Sequence, residues 1–158
     1  MIIIKAIASF IASLSYGVIF NAPKQLLLLC GTAGLTAWST FTTIHYYYDD
    51  TMIASFVGAF AVAIVAHVFA RIFKKPMILF NIPGIIPLVP GSIAYRAMRS
   101  VVESDYPLAI SYASQAFLVS GAVAMGLVFA EVMMQSIGHI IQKIKAVYRL
   151  KRSTSSSS

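Results

Sequence analysis

What this 158-residue chain has least of is charge. Only 11% of its residues are Asp, Glu, Lys or Arg, whereas 59% are hydrophobic. A soluble domain typically carries about 25% charged residues. So few charges cannot cover a globule of this size with polar surface, which excludes an ordinary soluble domain. The composition predicts an integral membrane protein.

Residues that carry enzyme chemistry are also scarce. The single cysteine, Cys30, lies in an apolar run, cannot form an intrachain disulfide, and is interpreted as a small buried hydrophobic residue. The sequence has no metal-ligand spacing, no nucleophile elbow and no phosphate-binding loop. We therefore expect no enzyme activity, no metal and no cofactor.

The net charge of +7 does not indicate nucleic-acid binding. Its basic residues lie between apolar stretches and near the C-terminus, instead of forming one basic face. The positions of the basic residues instead indicate which ends of the apolar stretches share one side of a membrane.

Apolar stretches long enough to cross a bilayer make up most of the chain. About 20 apolar residues suffice for a helical crossing, and four stretches qualify plainly: Ile2–Phe20, Leu26–Ile44, Met52–Phe73 and Leu108–Val128. The first is either a cleaved signal peptide or a retained span. We interpret it as a retained span, because no basic segment precedes it and "FNAPK" is a poor cleavage site. A further stretch, Met77–Val102, is long enough but rich in proline. The chain has five crossings if this stretch spans and four if it turns back.

The distribution of basic residues favours five crossings. Lys and Arg concentrate in cytoplasmic loops, and nine of them share one side only if the proline-rich stretch crosses. These nine are Lys24, Arg71, Lys74, Lys75, Lys143, Lys145, Arg149, Lys151 and Arg152. The other side then holds Lys5, Arg96 and Arg99. We predict an all-α membrane protein with five transmembrane helices, the fourth broken, with the N-terminus outside and the C-terminus inside.

The same patterns divide the chain into three parts. Residues 1–135 are predicted to form the five-helix transmembrane domain. Residues 136–152 have a helical apolar period with Lys and Gln on the opposite face, which predicts a basic amphipathic helix that binds anionic lipid headgroups. Residues 153–158 are predicted to be a disordered Ser-rich tail.

Small residues recur at helical spacing in two of the spans. Those in the third span are Ser55, Ala59, Ala63 and Ala70, and those in the last are Ala109, Ala113, Ala116 and Ser120. Such faces allow helices to approach closely in lipid. They fit a compact bundle or a surface for a partner subunit, and the sequence does not separate the two.

The proline-rich stretch "NIPGIIPLVPGSIAYRAM" is the most unusual feature. Each proline removes a backbone donor and frees a carbonyl one turn earlier, which is tolerated in a membrane only against protein or a water-filled cavity. We expect irregular backbone over residues 82–91 at membrane depth, with Gly84 and Gly91 providing close approach and unusual dihedral angles. Ser92 is expected to cap a half-helix that runs to about Glu103, with its positive N-terminal end pointing into the bundle.

A half-helix that starts inside the membrane has a functional and a structural interpretation. Secondary transporters bind anionic substrates at such positive helix ends, whereas a proline-kinked helix can be purely structural. Arg96 lies near the break without a local partner, so it either contacts a carboxylate or extends to the headgroups. Arg99 and Glu103 are an i,i+4 pair at the outer surface.

Two further ionisable residues are candidates for ion coupling. His67 lies one turn before Arg71 and is either a packed, hydrogen-bonded residue or a proton carrier. Glu131 lies near the end of the last span, at the predicted interface.

The segment "IIPLVPGSIAYRAM" resembles the signature of the threonine/serine exporter (ThrE-like) family, in its C-terminal half. Pro87, Pro90, Gly91 and Tyr95 fall on that signature. "FNAPKQLLLLCGTAGLTAW", residues 20–38, is similar to the first loop and second span of the same half. Five spans and this length resemble the small YjjB-type subunit of a split exporter.

The resemblance implies export across the bacterial inner membrane, together with a larger YjjP-type membrane subunit. Its cargo would be threonine and serine, or succinate, which is associated with the split pairs. We expect the substrate path to include Pro87, Pro90, Gly91, Ser92, Tyr95 and Arg96; the inclusion of Arg96 depends only on its position near the break. The alternative is a membrane scaffold that stabilises the larger subunit without transporting anything itself.

Overall fold

The computed structural model describes the backbone of residues 2–155 and the side chains of residues 3–138. Every element of secondary structure in this part of the chain is helical, which confirms the predicted all-α class. The helices are α1 (Ile2–Ile19), α2 (Leu27–Tyr48), α3 (Thr51–Phe73), α4 (Ile78–Ile85), α5 (Gly91–Val102) and α6 (Tyr106–Ser155). Two 3-10 turns, Lys24–Leu26 and Ile86–Leu88, precede α2 and follow α4.

The connection between α2 and α3 is short and consists of two aspartates, one that ends α2 and one that caps α3. Asp49 adopts the left-handed conformation, with φ of 50°, and ends α2. The side chain of Asp50 then accepts hydrogen bonds from the backbone nitrogens of Met52 and Ile53, which caps the start of α3. The two helices therefore form an antiparallel hairpin.

The predicted small-residue face of α3 lies at the centre of the bundle. Ser55, Ala59 and Ala63 are buried, and Ala70 is partly exposed. Gly126 of α6 packs so closely on α3 that a Cβ there would clash with the backbone carbonyl of Phe56. Small residues thus permit close helix approach, as expected in lipid.

The corresponding small-residue face of α6 is mostly exposed. Ala109 is buried, but Ala113 and Ser120 are exposed, and a Cβ at Gly121 would meet nothing within 4 Å. The chain itself therefore leaves most of this small-residue face uncovered.

The bundle has a basic end and an acidic end. Helices α3 and α6 run parallel, since Phe56 lies beside Gly126 and Arg71 beside Gly138. The connections after α1 and α3 lie at one end, here called the basic end, with Lys24, Arg71, Lys74 and Lys75. The opposite, acidic end contains Asp49, Asp50, Glu103 and Asp105.

The first part of the proline-rich stretch occupies the core. Phe80 packs edge-to-face on Phe69, with ring centroids 5.7 Å apart. Gly84 fits against Val62, and Leu88 lies beside Gly58. Helix α4 and its 3-10 turn therefore run antiparallel to α3, starting from the basic end.

Length and apolarity identify three helices that can cross a membrane: Lys24–Tyr48, Thr51–Phe73 and Tyr106–Gly138. The pair Ile78–Leu88 and Gly91–Val102, bent by 51°, makes a fourth if it is counted as one broken span. The apolar helix Ile3–Ile19 is shorter than these. The chain is thus a helical membrane protein with three or four candidate spans. The number five, the orientation and the domain boundaries stay predictions.

The C-terminal region continues α6. Its backbone stays helical to Ser155, three residues into the predicted Ser-rich tail, and residues 156–158 lie outside the described part. The predicted amphipathic face falls mostly on side chains after residue 138, which also lie outside it.

Candidate functional site

The break in the proline-rich stretch is shorter than the sequence predicts. The expected irregular backbone over residues 82–91 is wrong for its first part, because α4 continues through Pro83 to Ile85 and the 3-10 turn extends to Leu88. Only Val89 and Pro90, with ψ of 127° and 49°, leave the helical conformation before α5 begins. The bend is therefore confined to two residues.

A hydrogen bond from another helix compensates for the proline inside α4. Pro83 has no N–H to bond the carbonyl of Leu79 one turn earlier. The Cys30 Sγ of α2 donates to that carbonyl over 3.3 Å instead. The predicted burial of Cys30 is confirmed, but its interpretation as a purely hydrophobic residue is incomplete, because it satisfies a backbone group that the proline leaves free.

The two glycines of this stretch have different roles. A Cβ at Gly84 would lie 2.7 Å from Val62 Cγ1, so close approach requires glycine there. A Cβ at Gly91 would meet nothing within 4 Å, and no glycine among residues 2–155 has a positive φ. The predicted close approach at Gly91 and the unusual dihedral angles at both glycines are therefore wrong.

The predicted capping role of Ser92 is also wrong. Helix α5 begins at Gly91, so Pro90 occupies the N-cap position and no side chain caps the helix. The ring of Pro90 fixes its φ, here −75°, while its ψ of 49° keeps it just outside the helix. Ser92 lies inside the first turn of α5 and is exposed.

Most of α5 is left uncovered by the rest of the chain. It packs mainly against α6, and only Ser100 is buried. Tyr95 is 67% exposed and Arg96 is exposed as well. The start of α5 therefore opens onto the surface of this chain. The prediction that it points into the bundle is wrong for the described chain.

Arg96 lines a small cleft between α5 and α6. The cleft has a volume of about 330 Å³ and is lined by Arg96, Arg99, Ser100, Glu103, Leu108 and Tyr112. The predicted pair is confirmed, since Arg99 Nε donates to Glu103 Oε1 over 2.8 Å. Among side chains 3–138, no carboxylate lies within ion-pair distance of Arg96. A guanidinium without a partner is suited to binding a carboxylate.

A second cluster lies at the basic end, between α3 and α6. It lines a pocket of about 410 Å³, here called the basic-end pocket, with His67, Ala70, Arg71, Lys75, Met77, Glu131 and Gln135. The structure thus brings both ion-coupling candidates, His67 and Glu131, into one pocket.

The polar groups of the basic-end pocket are only partly satisfied. Both ring nitrogens of His67 are buried and have no hydrogen-bond partner among the described residues. Gln135 Nε2 donates to Glu131 Oε1 over a long 3.4 Å. His67 is therefore not the hydrogen-bonded packing residue that one interpretation of the sequence suggested.

Sequence reasoning missed the companions of these two residues. Lys75 and Gln135 line the same pocket, and Arg71 was noted only as a neighbour of His67. The available signal was the repeated four-residue spacing, His67 to Arg71 in α3 and Glu131 to Gln135 in α6. Only the parallel packing of the two helices shows that these pairs face each other.

A third polar cleft lies at the acidic end. It has a volume of about 670 Å³ and is lined by the α2–α3 connection and by Ser111, Ser114 and Gln115 of α6. Asp50 is already used as the cap of α3. Asp49 is almost fully exposed.

These features define a helical membrane protein with a broken span and polar clefts at both ends of its bundle. The sequence model of the family described as "Threonine/Serine exporter, ThrE" matches residues 5–133. The chain therefore belongs to the threonine/serine exporter family, as the resemblance in the proline-rich stretch predicted.

Individual relatives are longer than this chain. A threonine/serine exporter of Corynebacterium glutamicum is 30% identical over 101 residues, which cover 63% of this chain and 21% of that protein. An uncharacterized protein of Haemophilus influenzae is 24% identical over 127 residues, which cover 74% of this chain and 42% of that protein. The chain thus spans about a fifth and two fifths of these relatives. No solved structure matches the chain.

Proposed function

We propose that this chain is the small subunit of an inner-membrane exporter that works with a larger YjjP-type membrane subunit. Its cargo is a small carboxylate, either threonine and serine or a C4-dicarboxylate such as succinate. In this proposal the chain crosses the membrane five times, with the N-terminus outside and the C-terminus inside.

The observation that carries the proposal is the uncovered surface of α5. This half of the broken span presents Tyr95 and Arg96, yet it packs mainly on one neighbour. An arginine that faces hydrocarbon is costly, so a second membrane subunit is expected to cover this face. The exposed small residues of α6 fit the same partner, because they allow close helix approach.

The path for the cargo then runs along the junction of the two subunits. Pro90 lies in the bend and Pro87 in the 3-10 turn before it, and Gly91 and Ser92 belong to the uncovered first turn of α5. The N–H groups of that turn attract a carboxylate, and Arg96 receives it further along the helix. Tyr95 lines the path with its hydroxyl.

Export against a gradient needs an energy source, and we assign proton coupling to this exporter. His67 and Glu131 are the candidates in this chain, since they line one pocket and change charge on protonation.

A non-transporting scaffold is the second candidate. The observation that favours it is the burial of the first half of the broken span, where Phe80, Pro83 and Leu88 act as core residues. A scaffold uses the proline-rich stretch only for packing. It therefore tolerates Arg96→Lys and Tyr95→Phe in any export assay.

The test is efflux of labelled threonine and labelled succinate from loaded cells that express this chain with and without the larger subunit. We expect efflux of one cargo only when both subunits are present. Arg96→Ala should lower that efflux at an unchanged protein level, by about tenfold if a charge-assisted contact is lost. Lys5→Ala, which removes an exposed positive charge from α1 and does not line this cleft, is the matched control.

Two outcomes would count against this proposal. Unchanged efflux in Arg96→Ala removes this residue from the path. Absence of efflux with both subunits in the membrane favours the scaffold.

A further inference from the structure

The basic-end pocket contains charges of both signs that do not neutralise each other. Arg71 and Lys75 line it on the α3 side, and Glu131 lines it on the α6 side. Among side chains 3–138, neither cation lies within ion-pair distance of Glu131. The space between these opposite charges can accommodate a ligand that carries both a negative and a positive group.

The position of Arg71 depends on a glycine of the facing helix. A Cβ at residue 138 would lie 2.9 Å from the Arg71 Nη2, so Gly138 leaves room for the guanidinium beside α6. Arg71 therefore reaches across the junction of α3 and α6. Its planar group can bind both oxygens of a carboxylate.

On the α6 side, Glu131 is the only carboxylate among the residues that line the pocket. Gln135 donates to its Oε1 from one turn further along α6, which leaves the second oxygen free to accept from an ammonium group. Between the two sides lie the ring nitrogens of His67, which are buried and without a hydrogen-bond partner among the described residues. They can serve a hydroxyl, which both donates and accepts.

We propose that the basic-end pocket binds a zwitterionic α-amino acid with a small polar side chain. Arg71 and Lys75 hold its carboxylate, Glu131 holds its ammonium group, and His67 bonds its hydroxyl. The volume of about 410 Å³ is near the lower end of the usual range for ligand pockets, about 300–1,000 Å³, which suits a small cargo.

This inference rests on the proposed export function, and it selects between the two cargo classes left open there. It also requires that His67 and Glu131 bind cargo and coupled protons in turn, because one carboxylate cannot be protonated and pair with an ammonium group at once. Succinate would place its second carboxylate against Glu131, and two neighbouring like charges repel each other. An α-amino acid places an ammonium group there. The pocket therefore predicts threonine and serine as ligands and rejects a dicarboxylate.

The test is equilibrium binding of labelled L-threonine to the purified full chain in lipid nanodiscs. Unlabelled serine should compete with it. N-acetylthreonine, threonine methyl ester and succinate should each compete at least about tenfold less well, because each loses or reverses one charge contact. Succinate competing as well as threonine would overturn the proposal, and so would absence of threonine binding to the wild-type chain.

Variants assign the binding to this pocket. Glu131→Gln, which keeps the shape of the side chain, should weaken threonine binding at least about tenfold and reduce the discrimination against succinate. Asp49→Asn makes the same change of charge at the acidic end and should bind normally. Lys74→Gln removes a positive charge at the basic end outside the pocket and is the control for Arg71→Gln. Equal binding by Glu131→Gln and Asp49→Asn would place the site elsewhere.

These experiments distinguish a failure of the proposed binding site from a failure of the proposed export function. Selective threonine binding without efflux, when the larger subunit is present, keeps the pocket and removes the exporter. Efflux that is unchanged in Glu131→Gln keeps the exporter and removes the pocket.

Discussion

The two halves of the broken span have opposite environments within one short stretch of chain. Helix α4 and its 3-10 turn bury Phe80, Pro83, Gly84 and Leu88, whereas α5 buries only Ser100. One span therefore performs two tasks. Its first half holds the bundle together, and its second half presents a surface that the chain does not use itself.

The largest expected effect comes from removing the main side chain of the buried half. Phe80→Ala leaves a cavity beside Phe69, and the expected loss of stability is about 3 kcal/mol. Tyr95→Ala removes a ring of similar size from the uncovered half and should change stability little. Thermal unfolding of both variants in detergent measures the contrast, and equal losses would show that α5 is as well packed as α4.

The same substitution at one glycine of each half tests whether the two halves are packed differently. Gly84→Ala pushes a methyl group against Val62 and should cost about 1–3 kcal/mol through overpacking. Gly91→Ala places the same methyl group in open space at the start of α5 and should be neutral or slightly stabilising. The measurement is the midpoint of thermal unfolding. A destabilised Gly91→Ala variant would mean that the start of α5 is covered after all.

The smallest expected effect concerns the hydrogen bond between Cys30 and Leu79. Cys30→Ala leaves the Leu79 carbonyl without a donor and should cost about 1 kcal/mol. Pro83→Ala restores a backbone N–H for that carbonyl, so Cys30→Ala should cost less in this background. A double-mutant cycle measures the difference. Additive losses would show that the thiol and the proline are independent.

Much of the architecture could be predicted from the sequence. Apolar stretches define the positions of the long helices, because the bilayer fixes their length. The i,i+4 spacing of Arg99 and Glu103 was sufficient to predict their ion pair. The proline-rich stretch carried the resemblance to the family. Each of these signals is local, so no knowledge of packing was needed.

The features that could not be predicted depend on contacts between distant parts of the chain. Helix α4 continues through Pro83 because a donor comes from Cys30, 49 residues away in the sequence. Ser92 is not a cap because the helix already begins at Gly91, so Pro90 takes the N-cap position. The basic-end pocket exists because Gly126 lets α3 and α6 pack closely in parallel, which turns His67 and Glu131 toward the same space.

The hydrogen bond of Cys30 has a further consequence. Its sulfur is fully buried between α2 and α4, so a thiol-reactive reagent can label it only when these helices separate. Since the described chain contains one cysteine, the rate of labelling reports only the separation of α2 from α4. Cys30 is thus a native probe for the opening of the core. Its labelling rate can be measured in the unmodified sequence.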